Sequence, residues 1–388
     1  MSTPIRLADI FRSAFPDYVR RYGPLPPHYY KAANAIMACR TPLLGAHEYH
    51  CDNCKSVQLH YHSCRNRHCP RCQAYASNRW VQARADEMLP VGYFHAVFTL
   101  PAQLNAFALR NKAQFYAILY RSVAETLQTL AQESPWLNAL IGFTALLHTW
   151  GQNLMDHPHL HCMIPAGGIH KKGRRWKACN ASFLFPVPVV QALFRGKFLA
   201  FFKAALEDGS IKLHGQLQRY QSGEEMKKLF DTLYRKQWVV FIKKPFTSPL
   251  ALVNYLGNYT HRIAISERRI QAFDGTNVTF SYTDYADNNS RKSMTLSAVE
   301  FIRRFMLHIL PQGFMRIRHY GFFANRYRKA RLALCRKLLG QKEQPPRPKQ
   351  LWYEFIMERT GHHPLLCPHC GVSLLVPAGF VAPQRPGG

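Results

Sequence analysis

Acidic residues are what this chain has least of for its size. Twenty-two Asp and Glu stand against 51 Lys and Arg in 388 residues, a formal charge of +29. A small-molecule enzyme has no use for that imbalance. It points to a polyanionic partner, nucleic acid before an anionic membrane surface. Long apolar runs are missing too. None reaches the roughly 18 residues of a spanning helix, so a membrane protein is not expected. The opening "MSTPIRLADIFRSAF" carries Asp9 and lacks the apolar region of a secretory leader. The expectation is a soluble, cytoplasmic protein. No internal repeat is visible. Global disorder is excluded by 47% hydrophobic and 13% aromatic residues, and the length fits two or three domains.

The 11 cysteines are an odd number, and seven fall in two clusters, 51–72 and 367–370; Cys39, Cys162, Cys179 and Cys335 are scattered. CxxC pairs in a chain without a leader read as metal sites and not as disulfides. In "CDNCKSVQLHYHSCRNRHCPRCQ", Cys51 and Cys54 form one knuckle and Cys69 and Cys72 another. Those four are the expected ligands of a structural zinc, which takes four soft donors and leaves no open position. Cys64 is the first substitute and His68 a surplus candidate. Arg65, Arg67, Arg71 and Arg79 surround the second knuckle and are expected to meet phosphates, against the bland reading of a solvated surface. "CPHCG" at 367–371 is half a site, with His362 and His363, or Cys and His residues elsewhere in the chain, as candidate completing ligands.

The pattern along the chain predicts an α+β fold. Residues 1–45 have a helical period broken by "GPLPPHYY", and 46–80 show little helical period. "GYFHAVFTLPAQL" reads as a buried strand stopped at Pro101. A long helical pattern covers 105–132. "GFTALLHTW" and "HLHCMIP" read as a hairpin, and "GGIHKKGRRWKA" as a further turn or hairpin. Helices are expected near 188–207 and 223–235, then a strand at 237–246. A helix start falls at Ser248–Pro249. A hairpin, two basic helices, the linker "QKEQPPRPKQ" and a loose tail "APQRPGG" complete the chain. The expected domains are 1–90, helical and zinc-binding; 91–270, the catalytic body; 271–345, a hairpin and basic helical region; and 346–388, a linker with a short CxxC tail.

"DHPHLHCMIP" (156–165) holds the chemistry. With Pro158 opening a strand, alternation puts His159, His161 and Met163 on one face and Leu160, Cys162 and Ile164 on the other. Two imidazoles about 7 Å apart along a strand can share one metal ion. A lone strand histidine is usually a satisfied core residue; a His–apolar–His pair is harder to dismiss. His157 falls in the loop. "HTWGQNLMD" offers His148, Gln152 and Asp156 as third ligands. Further on, "NYLGNYTHR" sets Tyr255 and Tyr259 four apart, on one face if helical. Their bland reading is an aromatic stripe beside Leu252 and Leu256. Next to a metal that polarises a phosphoryl group, a tyrosine hydroxyl becomes a competent nucleophile. The stretch Arg303–Lys337 has ten Lys or Arg and no Asp or Glu. It includes Arg303, Arg304, Arg316 and Arg318 as candidate DNA contacts, with Phe305, Phe314, Tyr320, Phe322, Phe323 and Tyr327 interleaved. Most of those aromatics are expected in a helical core.

"HPHLH", "YLGNY" downstream, "FTLP" upstream, "SCRNRHCPRCQ" and "EFIRRFMLHILPQGFMRIRHYG" together resemble the insertion-sequence-91 family of two-tyrosine HUH transposases, over roughly residues 10–375. The resemblance implies a zinc module followed by an HUH endonuclease domain, a central antiparallel sheet flanked by helices. It implies cutting and joining of single-stranded or locally melted DNA at element ends, in a rolling-circle-like transposition through a 5′-phosphotyrosine. His159 and His161 take the metal positions, for Mg²⁺ or Mn²⁺, and Tyr255 and Tyr259 the nucleophile positions. Related nucleases place Glu or Gln before the first histidine, which selects Gln152 as third ligand, with His148 the rival. Two other classes compete. A non-catalytic zinc-finger regulator explains the charge and cysteines but not the histidine strand. A metal-dependent hydrolase explains the histidines but neither the charge nor the zinc module.

Overall fold

The computed structural model describes residues 5–133, 135, 137–173, 175–180, 184–246, 251, 253, 257, 264–285, 287–341 and 350–384. Helices α1 (Leu7–Tyr22) and α2 (Pro27–Ala38) come first. Leu7, Ile10, Phe11, Ala14, Phe15 and Tyr18 of α1 are buried, the i, i+3, i+4 stripe of a core-facing helix. A hairpin follows, β1 (Ala46–His50) and β2 (Val57–Tyr61). Next is α3 (Pro70–Glu87), a helix that the stretch read as aperiodic conceals. The physical reason is its surroundings: Gln73 and Arg84 are its buried residues, so it has no apolar stripe. Pro70 at its first position and the Arg84–Glu87 pair at 2.8 Å favour the helix instead.

The body is built on β3 (Tyr93–Thr99), then α4 (Asn105–Arg110) and α5 (Lys112–Glu133), where one long helix was expected. After the two-residue β4 (Ala139–Leu140) come β5 (Gly142–Trp150) and β6 (Asp156–Pro165), the expected hairpin, with β6 starting two residues before Pro158. A small hairpin, β7 (Gly167–His170) and β8 (Trp176–Ala178), is followed by α6 (Val187–Glu207), α7 (Gly223–Arg235) and β9 (Val239–Phe246). Then come β10 (Ile270–Phe273), β11 (Asn277–Asp284), β12 (Ser290–Ser297) and α8 (Ala298–Leu307). The Ser297 hydroxyl caps α8 by accepting from the Glu300 N–H at 3.3 Å. Strand β13 (Ile317–Gly321), helices α9 (Arg328–Leu338) and α10 (Trp352–Thr360) and strand β14 (Val376–Val381) finish the fold.

Five strands form the central sheet in the order β13-β5-β6-β3-β9, each neighbouring pair antiparallel. One face is apolar. Phe94, Ala96 and Phe98, Phe143, Ala145 and Leu147, and Leu160, Cys162 and Ile164 pack in one core with residues of α5 and α6. Each large side chain buried there contributes about 1.5–3 kcal/mol. The strand parity read from the sequence is thus observed, and it leaves the opposite face to the histidines.

A second core joins distant parts of the chain. Leu7, Phe11 and Phe15 of α1 and Ala33 of α2 pack with Phe280, Phe301 and Phe305, with Phe11 and Phe305 edge-on at 5.3 Å. A third small sheet has the order β14-β1-β2, so the last strand pairs with the first. The segment expected to be a short CxxC tail thus joins the N-terminal hairpin through residues 376–381. Most of the linker "QKEQPPRPKQ" lies outside the described residues. Among the described residues no helix is long and apolar enough to cross a membrane.

Candidate metal centres

Sheet register, not chain proximity, assembles the histidines. His148 of β5 lies directly opposite His159 of β6, and His161 sits one step along, opposite Leu146 on one side and Val97 on the other. Cross-strand neighbours point to the same face. Candidate ligand nitrogens of His148, His159 and His161 lie within 4.8 Å of one another. They open onto a cavity of about 500 Å³ that Trp150, Gln152, Asp156, Ile265, Arg269 and Tyr285 also line.

The electrostatics prepare these rings to be ligands. Burial, helped by the neighbouring His157, pushes the His159 pKa down to about 4, and burial holds His161 well below the ordinary histidine range. Both are neutral at pH 7, with a lone pair free for a metal. His159 Nδ1 is 2.6 Å from the His157 carbonyl oxygen. A carbonyl only accepts, so Nδ1 carries the proton and Nε2 is the donor atom left for a metal. His161 Nδ1 meets His95 Nε2 at 2.8 Å, with the rings parallel at 5.1 Å. If His161 Nδ1 donates, its Nε2 is freed in the same way. His95, itself pushed down to about 4 by burial, is then the orienting partner that metal-bound imidazoles commonly have. Its position on β3, in register with Met163, was the available signal.

The other sequence candidates are distributed unevenly. Gln152 lines the cavity, but its amide nitrogen donates to the Tyr285 hydroxyl at 3.0 Å. The rival His148, paired across the hairpin with His159, is the one that converges with His159 and His161, while Gln152 lines the same cavity. Asp156 also lines the cavity. Both its carboxylate oxygens are buried without a hydrogen-bond partner, and burial, partly offset by Lys112, pushes its pKa up to about 7. Tyr255 and Tyr259 lie outside the described residues. Their flanks do not: residues 264–266 line the cavity, and the Gly257 carbonyl accepts a bond from the Ser77 hydroxyl of α3.

The cysteines form two groups of four among the described residues. Cys39, Cys64, Cys69 and Cys72 converge, and Cys51 and Cys54 lie instead with Cys367 and Cys370. The expected set Cys51, Cys54, Cys69 and Cys72 is therefore corrected. The β1–β2 hairpin carries the first knuckle away from the second, and Cys39 at the end of α2 replaces it. In the first group Cys72 Sγ is 3.5 Å from Cys39 Sγ and 3.6 Å from Cys64 Sγ. Four sulfurs on a tetrahedral zinc, with Zn–S of about 2.3 Å, stand about 3.8 Å apart. The donor set fits zinc. His68 is not in either group: it is buried beside Arg67, and burial holds it neutral.

Several arginines expected on DNA are engaged within the fold. Arg67 donates to the carbonyls of Phe314 at 2.6 Å and Pro311 at 2.8 Å. Arg303 is bidentate on Glu300 at 2.6 and 2.8 Å, and Arg304 bonds Glu300 at 2.7 Å and the Asn153 carbonyl at 3.1 Å. Burial pushes the Arg316 pKa down to about 10, and Arg318 stacks over the Tyr120 ring at 4.2 Å. Arg67, Arg303, Arg304 and Arg318 are corrected to struts, because their donors or planes are taken by carbonyls, a carboxylate and rings, and Arg316 is corrected to a partly buried residue. Arg65 and Arg79 are exposed and Arg71 half-buried. Phe305, Phe314, Phe322 and Phe323 are buried, as the helical-core reading expects.

Fold and site together define an α+β protein with a cysteine-rich module and a histidine-lined cavity able to hold a metal. Two family models match: residues 10–100 fit the one described as "Transposase zinc-binding domain", and residues 142–331 the one described as "Putative transposase". The protein described as "Putative transposase y4qJ" from Sinorhizobium fredii is 43% identical over 367 residues, 94% of this chain and 92% of that protein. The transposase for insertion sequence element IS801 from Pseudomonas savastanoi pv. phaseolicola is 26% identical over 361 residues, 89% of this chain and 82% of that protein. No solved structure matches. The chain belongs to the insertion-sequence-91 family of transposases. Its function is accordingly that of a DNA transposase with an N-terminal zinc-binding domain, and DNA is its partner.

Proposed function

We propose that the chain nicks and joins single-stranded DNA at element ends by tyrosine transesterification, as an HUH endonuclease. The observation that carries this reading is the meeting of three imidazoles, His148, His159 and His161, at an open cavity in a strongly basic protein. His148, His159 and His161 would hold a divalent ion, and Gln152 would line the cavity beside them. When bound, that ion supplies Lewis-acid polarisation of the scissile phosphate. Of Mg²⁺ and Mn²⁺, three nitrogen donors fit Mn²⁺ better, since Mg²⁺ prefers oxygen ligands and its own waters.

The tyrosines supply the covalent chemistry. The hydroxyl oxygen of Tyr255 or Tyr259 bonds to phosphorus and the bond from phosphorus to the 3′-oxygen breaks. The phenol loses its proton, the 3′-oxygen leaves as a hydroxyl, and the 5′-phosphate stays on the tyrosine. Phosphodiester energy is kept in that link, so no ATP is needed, and the second tyrosine or the 3′-OH completes strand transfer. Three features support this arrangement. Residues 264–266, just after the tyrosine segment, line the cavity. Gly257, between the two tyrosines, is bonded to α3, and a side chain there would overlap Val81. On the histidine face, edge strand β9 presents Val239 and Phe241, 60% and 56% exposed, with Lys243 beside them. Exposed aromatics next to lysines are a platform for stacked bases and their phosphates. Arg65, Arg71 and Arg79 near the first zinc group remain available for phosphate contact. The cytoplasm is where such an enzyme would meet both element and target.

The test is incubation with an end-labelled single-stranded oligonucleotide carrying an element end, with Mn²⁺ present. A denaturant-resistant protein–DNA adduct is expected, and it is lost in the Tyr255→Phe/Tyr259→Phe double variant. Cleaved product without an adduct would instead favour a hydrolase, and a mobility shift without cleavage a regulator.

A further inference from the structure

We infer that Cys51, Cys54, Cys367 and Cys370 bind a second structural zinc ion, and that this ion fastens the end of the chain to the N-terminal hairpin as a zinc ribbon split across the sequence. The family match for zinc binding covers Cys51 and Cys54 but ends at residue 100, far short of Cys367 and Cys370. Cys51 Sγ is 3.6 Å from Cys370 Sγ, and Cys54 Sγ is 3.6 Å from Cys367 Sγ. Those separations are near the edge of a zinc–sulfur tetrahedron, about 3.8 Å, and far beyond the roughly 2.05 Å of a disulfide. Cys54 and Cys367 are 313 residues apart in sequence, so no local turn brings them together.

The two half-sites share a turn in which the residue after the second cysteine donates back to the carbonyl of the first. The Cys51 N–H donates to the Ser56 carbonyl at 2.9 Å and the Lys55 N–H to the Cys51 carbonyl at 2.8 Å. In the other half the Cys367 N–H donates to the Ser373 carbonyl at 2.9 Å and the Gly371 N–H to the Cys367 carbonyl at 2.9 Å. The residue after the second cysteine is left-handed in both, φ 58° at Lys55 and 66° at Gly371. A lysine in that region is uncommon. Two similar knuckles, one of them adopting this conformation with a lysine, are turned so that their four sulfurs meet. The strands behind them agree: β14 pairs with β1 from Ala46–Val381 to His50–Val376. Among the described residues the buried apolar cluster around Cys51 and Cys367 is small, Leu375 with half-buried Tyr49 and Leu365. A core that small does not hold two chain ends by burial, and a metal bond would. His363 is not needed as a ligand, since its Nδ1 accepts from the Leu365 N–H at 3.1 Å.

Cobalt substitution of the full chain tests this, because the sulfur-to-cobalt charge-transfer band reports thiolate sites and is silent on the histidine site. The wild-type band is expected to match two four-sulfur sites. It should halve in Cys367→Ser/Cys370→Ser and halve equally in Cys51→Ser/Cys54→Ser. Limited proteolysis of the unmutated protein is the second measurement: removal of zinc by a chelator should expose cleavage sites after residue 361 that zinc protects. A wild-type band matching one site, a band unchanged in the Cys367/Cys370 variant, or a tail equally protected without zinc would each overturn the inference.

Discussion

The Cys39 group and the histidine cluster are both able to hold a metal, and they differ in what they leave free. The cysteine group surrounds its centre with four sulfurs at the junction of α2, the 64–69 loop and the start of α3, packed against the core that α1 and α8 share. The histidine cluster offers three nitrogens from two strands and opens onto about 500 Å³. Closed four-ligand sites hold structure, and sites with an open position bind substrate. On the proposed function, one chain thus carries a zinc site that shapes the protein and a histidine site that its substrate would reach, and removing a ligand should do different things in each.

The largest effect sharpens that contrast. Cys69→Ser is expected to release the first zinc, loosen α3 from α2 and lower the melting temperature. His161→Ala is expected to leave zinc–thiolate content and melting unchanged while cutting adduct formation on the order of 10²–10³-fold, the cost of losing one main stabiliser of developing charge. Thermal melts, metal analysis and the adduct assay on both variants check it. If His161→Ala melts like Cys69→Ser, the histidines are core residues and the contrast fails.

How much of this was legible in the sequence follows from how far each signal reaches. Strand parity is local, so "HPHLH" disclosed which histidines share a face. The hairpin is also local, so His148 was within view, but nothing in a single sequence gives the register that sets it opposite His159. A CxxC spacing announces a knuckle and not its mate. The mates of Cys51 and Cys54 lie more than 300 residues away, and Cys39, with no second cysteine nearby, carried no pattern at all. Helix α3 was hidden because it buries polar side chains. Charge counting could not tell Arg67 or Arg303, spent on carbonyls and on Glu300, from arginines facing solvent.

The next effect separates the two third-ligand candidates. His148→Ala should reduce cleavage on the order of 100-fold, comparable to losing a stabilising group in the site, and raise the Mn²⁺ concentration needed for half-maximal rate. Gln152→Ala should change both only a few-fold, because its amide is bonded to Tyr285 and not to the imidazoles. A metal titration of adduct yield reads both at once. The reverse ranking would return Gln152 to the metal and leave His148 as packing against Trp150, whose ring it stacks on at 4.8 Å.

The smallest effect concerns the surface that an open site needs and a closed site does not. Across the sheet His161 lines up with Val97 and then with Phe241, and the next row toward Lys243 runs through His95. If Phe241 stacks on a base, Phe241→Ala should weaken binding of a single-stranded oligonucleotide roughly tenfold, since one such contact is worth about 1–3 kcal/mol. A stacked ring carries no charge, so the slope of log affinity against log salt should not change. Lys243→Ala should do the opposite: a smaller loss of affinity at moderate salt, with the slope reduced by about 0.7, the counterion released per phosphate contact on a single strand. Binding isotherms at several salt concentrations separate the two. A salt slope that moves in Phe241→Ala, or an affinity that does not, would place the DNA path elsewhere on the protein.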